Sequence, residues 1–436
     1  MSIRLWAKMK MPLGGRWYNN SPKCGYFATF NNRKVNMKIA VIGGGAAGFF
    51  AAISCKQHHA EADVTIYEKT TKLLSKVKVS GGGRCNVTHA CNNHVALSKY
   101  YPRGEKFLKK AFSQFAVDDT INWFESRGVS LKTEADNRMF PVTDDSQTIV
   151  DCLLSEARRL GVKINLKCGV NDVERTGASF QLHTESATQE VDKVIVTIGG
   201  ATKPSMLSWI EKLGHSIETP VPSLFTFNMP ADPIRELMGL AVERATVKVQ
   251  ATKLKSEGPL LITHWGMSGP AVLKLSAFGA RLLADLNYDF KIQVNWVNET
   301  DVNVREMLAG FQQAHTKKKM LNGHPFVLPA RLWEFLINKI GLRIDILWGE
   351  LGNKGINKLV NVLINDIFEV KGKTTFKEEF VTCGGVSLTD IDVKTMQSRV
   401  VEGLYFAGEV MGIDGVTGGF NFQAAWTTGF IAGKLG

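Results

Sequence analysis

Three glycines constrain this chain more than any other feature. Gly43, Gly45 and Gly48 stand at G-x-G-x-x-G spacing directly after the apolar run 38–42. That run reads as a short buried strand, and residues 46–57 continue without proline and with helix formers. Strand, glycine turn and helix are the setting in which this spacing binds a dinucleotide. Gly43 permits the turn, Gly45 lets the backbone approach a pyrophosphate, and Gly48 lets helix pack on strand. The helix start at Ala46 and Ala47 offers free N–H groups and a positive dipole end to phosphates. A second strand, 64–67, ends in Glu68. An acidic residue about 20 positions past the last glycine is placed to meet a ribose hydroxyl.

The rest of the composition excludes more than it selects. At 436 residues the chain has room for two or three domains. Its 44% hydrophobic and 22% charged residues are those of an ordinary globular protein. No apolar stretch is long enough to cross a membrane. The seven cysteines include no C-x-x-C pair and no metal-ligand spacing. Such a scattered, odd set fits a reducing cytoplasm and predicts no metal site. The formal charge of +12 suggests nucleic acid, but residues 1–36 hold seven Lys/Arg and no acid. The remainder carries 46 basic against 41 acidic residues, or +5, with no recognition module beside it. No nucleic-acid partner is therefore expected. Residues 1–36 show no periodicity and read as an extension upstream of a start at Met37, or as a basic presequence.

Further along, Lys76 precedes the run Gly81, Gly82, Gly83, Arg84, Cys85, Asn86, a glycine loop able to wrap a flat or anionic ligand. Helical spacing marks 105–127 and 146–160, and 138–142 reads as extended. Strands are expected at 162–166, 169–175, 179–184 and 191–198, the last running into Gly199 and Gly200. From about 202 the character changes. Short β-like runs at 223–229, 245–252, 260–263 and 290–294 alternate with Pro and Gly. Among them lies Thr263-His264-Trp265-Gly266-Met267-Ser268-Gly269-Pro270, followed by a predicted helix to about 283. Residues 302–365 read as mostly helical, most clearly at 332–340 and 351–368, and Lys317 to Lys319 as a solvated helix end. α/β character returns at 380–386, at Gly408-Glu409 and at Gly415 to Gln423, which opens a last helix to 435.

Taken together, 43–48, 80–88, 263–270 and 408–423 resemble one family of flavoproteins. These are the aminoacetone-oxidase-like, YhiN-like or BaiN-like (bile-acid 4,6-reductase-like) proteins of the glutathione-reductase-like superfamily. The resemblance spans 37–436 and implies an α/β fold. Its discontinuous Rossmann-like FAD-binding domain would come from both chain ends, with an inserted β-barrel-like plus helical domain between them. The implied division is 37–201 and 380–436 for FAD, 202–301 for the β domain, 302–365 for helices and 366–379 for a return strand.

The resemblance also implies residue roles. Gly43, Gly45, Ala46, Ala47 and Gly48 would hold the pyrophosphate, and Glu68, with Lys69 beside it, the adenosine ribose. Lys76, Gly82, Gly83, Arg84, Cys85 and Asn86 would line the flavin, and Val170 would contact adenine through its backbone. Gly199 and Gly200 would close under the cofactor, Gly408 and Glu409 would meet the ribityl–phosphate region, and Gly419, Phe420 and Asn421 would approach the isoalloxazine. Gly412 stands where the family often has Asp, with Asp414 as a substitute. His264 is the candidate acid/base group, or else a structural histidine. Cys85 is a packed small residue or a redox thiol.

With a single dinucleotide motif, NAD(P)H would dock only transiently and reduce an enone-like small molecule through flavin N5. The alternatives are an aminoacetone-type amine oxidase using O₂ and a non-catalytic flavin-binding module. A chain beginning at Met37 is expected to remain soluble and yellow. Loss of flavin-bound protein on that truncation would refute the dispensability of 1–36.

Overall fold

Lys38–Ile42 forms the central strand because its apolar residues can be buried on both faces, as a parallel sheet requires. The computed structural model describes residues 36–201, 203–374 and 381–436. The expectations for 1–35, for the boundary at 202, and for 375–380 of the return segments fall outside the described residues.

In chain order, the first half contains Lys38–Ile42 (β1), Ala46–His58 (α1), Asp63–Tyr67 (β2), Ser75–Gly83 (α2), Thr88–His89 (β3), His94–Ser98 (α3), Glu105–Ala111 (α4) and Val117–Glu125 (α5). Leu131–Thr133 (β4), Arg138–Pro141 (β5), Ser146–Arg159 (α6), Lys163–Asn165 (β6), Val170–Thr176 (β7), Ser179–Thr184 (β8), Thr188–Val191 (β9) and Lys193–Val196 (β10) follow. Ser208–Lys212 (α7) and Ile217–Ser223 (β11) lead outward. Next come Thr226–Asn228 (β12), Ala241–Val249 (β13), Lys255–Thr263 (β14), Gly266–Ser268 (β15), Pro270–Phe278 (α8), Ala280–Asp285 (α9) and Asp289–Asn295 (β16). Asp301–Ala314 (α10), Ala330–Lys339 (α11), Asn353–Ile364 (α12), Asp366–Lys371 (β17) and Lys373–Thr374 (β18) complete that excursion. Val381–Val386 (β19), Leu404–Phe406 (β20) and Phe420–Gly433 (α13) return.

The nucleotide-type sheet has the order β20-β10-β1-β2-β6, and its described pairings are all parallel. Val41 stands opposite Ile66 on one side and Ile195 on the other, while Val194 meets Leu404. The sheet is thus completed by a strand from the far end of the chain. α1 is buried from Ala47 to Cys55 and lies against α13. The contact is close because a Cβ on Gly429 would stand 2.6 Å from Ala47 O, and one on Gly433 2.4 Å from Ala51 O. Phe50 fills the seam, with Trp123 at 4.5 Å and Trp426 at 4.6 Å between ring centroids. Ser54 Oγ donates to Phe430 O at 2.7 Å.

A second core spans Phe225 to Val370. Its sheet runs β17-β16-β13-β14-β15-β12-β18, and Trp296, Trp333 and Trp348 are fully buried in the core around it. The strands that connect this insert, residues 225–374, to the first core are β11 and β19, which pair antiparallel with each other. Among the described residues no helix is long and apolar enough to cross a membrane.

Several predicted elements are divided. The helix expected over 351–368 ends at Ile364, and β17 begins two residues later. Asp366 to Lys371 alternates buried and exposed, a period of two that pairs with β16 and overrides helix propensity. The helix expected to reach 283 breaks at Gly279, which is packed under Leu254. The strand expected over 191–198 is cut at Asp192, whose carboxylate accepts from Lys38 N–H at 2.7 Å.

Two helical glycines should respond oppositely to added bulk. Gly429→Val drives a side chain into α1 and should cost about 3 kcal/mol or more. Gly310→Ala, in α10 with nothing within 4 Å of its Cβ position, should stabilise by about 0.5–1 kcal/mol. Thermal unfolding of both variants checks the pair.

Candidate active site

The first turn uses its glycines in two ways. Gly43 has φ +112°, and a Cβ there would meet Thr197 O at 2.5 Å. A Cβ on Gly48 would fall 2.0 Å from Gly43 O. Both are packed tight by the protein itself, while the Cβ direction of Gly45 is open. Gly45 is also the N-cap of α1 and has no side chain to cap it, so the first-turn amides at Ala46 and Ala47 suit an anion. Glu68 ends β2 and accepts from Gly44 N–H at 2.9 Å and from Thr70 N–H at 2.8 Å, which fixes its carboxylate beside the turn. Lys69 packs near Gly169, next to Val170 at the start of β7.

A second wall comes from α2. The helix unwinds at Ser80, and Gly81, Gly82 and Gly83 have φ of +60°, +70° and +86°. Three successive left-handed residues are tolerable only as glycine, and such a run can present its amides as an anion nest. The Cβ directions of Gly82 and Gly83 are open. Cys85 is fully buried, and burial pushes its thiol up to about 12, so it stays protonated and unreactive. Arg84 is committed elsewhere: it pairs with Glu134 at 2.6 Å and lies 4.0 Å over the Phe140 ring. Asn86, with its amide oriented to satisfy both partners, accepts from Gly419 N–H and donates to Thr88 O, each at 3.0 Å.

The floor is the end of β10 with the returning chain. The Cβ direction of Gly199 is open, whereas one on Gly200 would strike Thr382 Oγ1 at 2.4 Å and Glu409 Oε1 at 2.5 Å. Glu409 accepts from Thr382 N–H at 2.9 Å and pairs with Lys76 Nζ at 2.7 Å, joining α2 to the strand end across the cleft. Gly408 N–H donates to Thr428 Oγ1 at 2.8 Å, seating this turn beside Ala47. Thr382 Oγ1 is buried without a partner among the described residues.

The last wall is the start of α13, after Gly418 and Gly419 with φ of +125° and +90°. The Phe420 ring lies between Tyr100 at 4.3 Å and His89 at 4.6 Å. Asn421 spends its amide on Gly415, accepting from its N–H at 2.8 Å and donating to its carbonyl at 3.0 Å. These two side chains therefore shape the loop, and backbone is what remains for a ligand.

Two expectations are redirected. Asp414 does not replace the family's aspartate at Gly412. It is fully buried and held by Arg103 and by Ser223 Oγ at 2.7 Å. Burial pushes its carboxyl up, and the Arg103 guanidinium opposes that. Arg103 also donates to Ala277 O of α8. His264 is exposed on the β14–β15 turn. Its carbonyl accepts from Arg235 at 2.6 Å and its ring lies against Trp265, so these contacts stay within the insert. The fold does not bring His264 to the glycine loops. A separate cavity of about 580 Å³ between α5 and α6 is lined by none of these loops, and its Arg127 and Arg159 both pair with Glu156.

Sequence reading missed Arg103, Ser223, Thr382 and His89. Thr382 lies on a strand expected from the sequence. The other three are isolated residues whose partners are distant in sequence. The open directions at Gly45, Gly82, Gly83 and Gly199, the uncapped α1 and the unpartnered Thr382 hydroxyl fit a pyrophosphate joined to a flat ring, as in FAD.

Comparison with known proteins agrees. The model of the HI0933-like protein Rossmann domain matches residues 37–435. The chain is 26% identical over 409 residues to the 3-dehydro-bile acid delta(4,6)-reductase of Clostridium scindens, covering 91% of this chain and 98% of that protein. It is 29% identical over 403 residues to the ribosomal RNA dihydrouridine synthase of Escherichia coli K12, covering 90% and 96%. Among solved structures, the 3-ketosteroid-delta4-(5alpha)-dehydrogenase of Rhodococcus jostii RHA1 aligns with TM-score 0.51 at 14% identity, over 93% of this chain and 99% of that one. That likeness is one of fold.

The two kinds of glycine give a paired prediction. Gly45→Val should fold with a nearly unchanged melting temperature and lose FAD. Gly48→Val should unfold at markedly lower temperature, since its side chain meets backbone. Melting curves and flavin absorbance of both variants check this.

Proposed function

The chain belongs to the HI0933-like Rossmann family and is an FAD-dependent oxidoreductase, and from that premise we propose that it saturates a carbon–carbon double bond conjugated to a carbonyl, with uracil in RNA as substrate. Both relatives' names describe that bond type. A 3-oxo steroid diene and the uracil C5=C6 bond beside C4=O are each polarised to accept hydride at the far carbon. What bound FAD supplies is that hydride transfer. The protein's part is to hold the pyrophosphate on α1, to fix the cofactor's middle near Lys76, Glu409 and Thr382, and to bring the substrate to the cleft. NAD(P)H is the proposed electron donor, docking transiently for want of a second nucleotide motif.

One observation carries the choice of RNA. Residues 69–110 hold ten Lys/Arg against a single acid, Glu105. That +9 exceeds the +5 of the whole stretch 37–436, so the rest of the fold is net acidic. Lys69, Lys72, Lys76, Lys78, Lys99, Lys106, Lys109 and Lys110 are exposed. This segment contains α2, which walls the cleft, and leads into α4, whose preceding Gly104 packs on Ile413. A basic tract at the cleft favours a polyanion. Averaged over the chain, the same charge had argued against nucleic acid. A small enone is the second reading, favoured by the bile-acid reductase relative.

FAD-loaded protein with NADPH or NADH should add two hydrogens to uridines in unmodified ribosomal RNA, read by mass spectrometry of nucleosides. The rate should fall steeply with salt, as phosphate contacts require. RNA left unchanged, together with rapid oxidation of the flavin by a 3-oxo-4-ene, would transfer the assignment to the small enone.

A further inference from the structure

Two buried polar atoms without a partner lie on the walls of this cleft: Thr382 Oγ1, beside Glu409, and Nδ1 of His89. The histidine ends β3, three residues after Asn86, whose side chain ties this loop to Gly419. Its ring is half-buried and stacked on Phe420 at 4.6 Å and 26°. Phe420 is stacked in turn on Tyr100 at 4.3 Å and 12°, so the imidazole plane is set by two aromatic neighbours. A Cβ on Gly418 would come within 3.7 Å of His89 Cδ2. The imidazole therefore borders the glycine turn that opens α13.

Burial lowers the tendency of His89 to charge, and Asp136 alongside opposes that. A neutral imidazole keeps one donor nitrogen and one acceptor nitrogen. Burying one of them unpaired forfeits its hydration for nothing unless a ligand restores a bond. Beside it, the first-turn amides of α13 form the positive end of a 14-residue helix. A ligand matching both must present acceptors to the amides and a polar atom to the imidazole along one flat edge. The pyrimidine edge of an isoalloxazine, two carbonyls with an N–H between them, has that pattern, whereas its dimethylbenzene edge has none of it.

We propose that His89 hydrogen-bonds the pyrimidine edge of the bound flavin through Nδ1, with the Phe420–Tyr100 stack holding its ring in place. This rests on FAD binding and not on the identity of the substrate, so a chain that leaves RNA unreduced tests it equally well.

His89→Phe keeps the stack and removes both nitrogens. It should bind FAD about tenfold more weakly, as expected for one lost hydrogen bond. Its flavin absorption band and midpoint potential should shift, and the melting temperature of the FAD-free protein should hold. Flavin affinity, spectrum and potential equal to those of the unaltered protein would overturn the proposal. In case the variant fails to fold, the unaltered chain with ¹⁵N-labelled histidine supplies the second measurement. Adding FAD to the stripped protein should move the Nδ1 resonance of His89, and a resonance that stays put would overturn the proposal as well.

Discussion

The contact between α1 and α13 is the constraint on which the rest depends. α1 is apolar on all sides, so no single neighbour can bury it. One side is covered by the sheet, and another only by a helix that arrives after the whole insert. Gly429 and Gly433 bring the two backbones within contact distance of each other, a spacing that no larger residue permits. That approach also carries β20 to β10 and the Gly408 turn to Ala47. The cleft is assembled as a by-product of this helix packing.

The cleft itself combines rigid and empty positions. Gly43, Gly48 and Gly200 are glycine because protein atoms crowd them, whereas Gly45, Gly82, Gly83 and Gly199 border open space. The first set fixes the walls, and the second leaves room for a ligand to approach the backbone. Arg103 extends this rigidity to the insert by joining Asp414, Ser223 and the end of α8. Removing one partner of such a buried pair typically costs about 3–5 kcal/mol, which makes this joint stiff.

Much of this was legible in the sequence where the signal is local. The strand–turn–helix at 38–58, the acid at Glu68 and the glycine run at 81–83 depend on spacing, and spacing survives folding. The α12–β17 boundary was misread because the chain 351–368 is apolar at both periods, and only pairing with β16 decides between them. His264 drew attention as a titratable ring in a distinctive loop, yet which end of a hairpin faces a cleft is set by strand register. Arg103 gave no signal at all. Its meaning comes from Asp414, which lies 311 residues away. Charge was misread through averaging, since the basic tract 69–110 is offset by an acidic remainder elsewhere.

The two-strand joint of β11 and β19 has a consequence for how the chain is made. The ribosome releases α1 early, but the partner that covers its outer face lies some 376 residues further on, as the Ser54–Phe430 bond records. Until then Phe49 and Phe50 have no native cover on that face. The insert, with its own core and local strand pairings, needs nothing downstream of Thr374 and can complete itself first. A nascent chain halted near 375 should therefore carry a finished insert beside a half-built nucleotide fold. That is the interval in which a chaperone would find its binding surface.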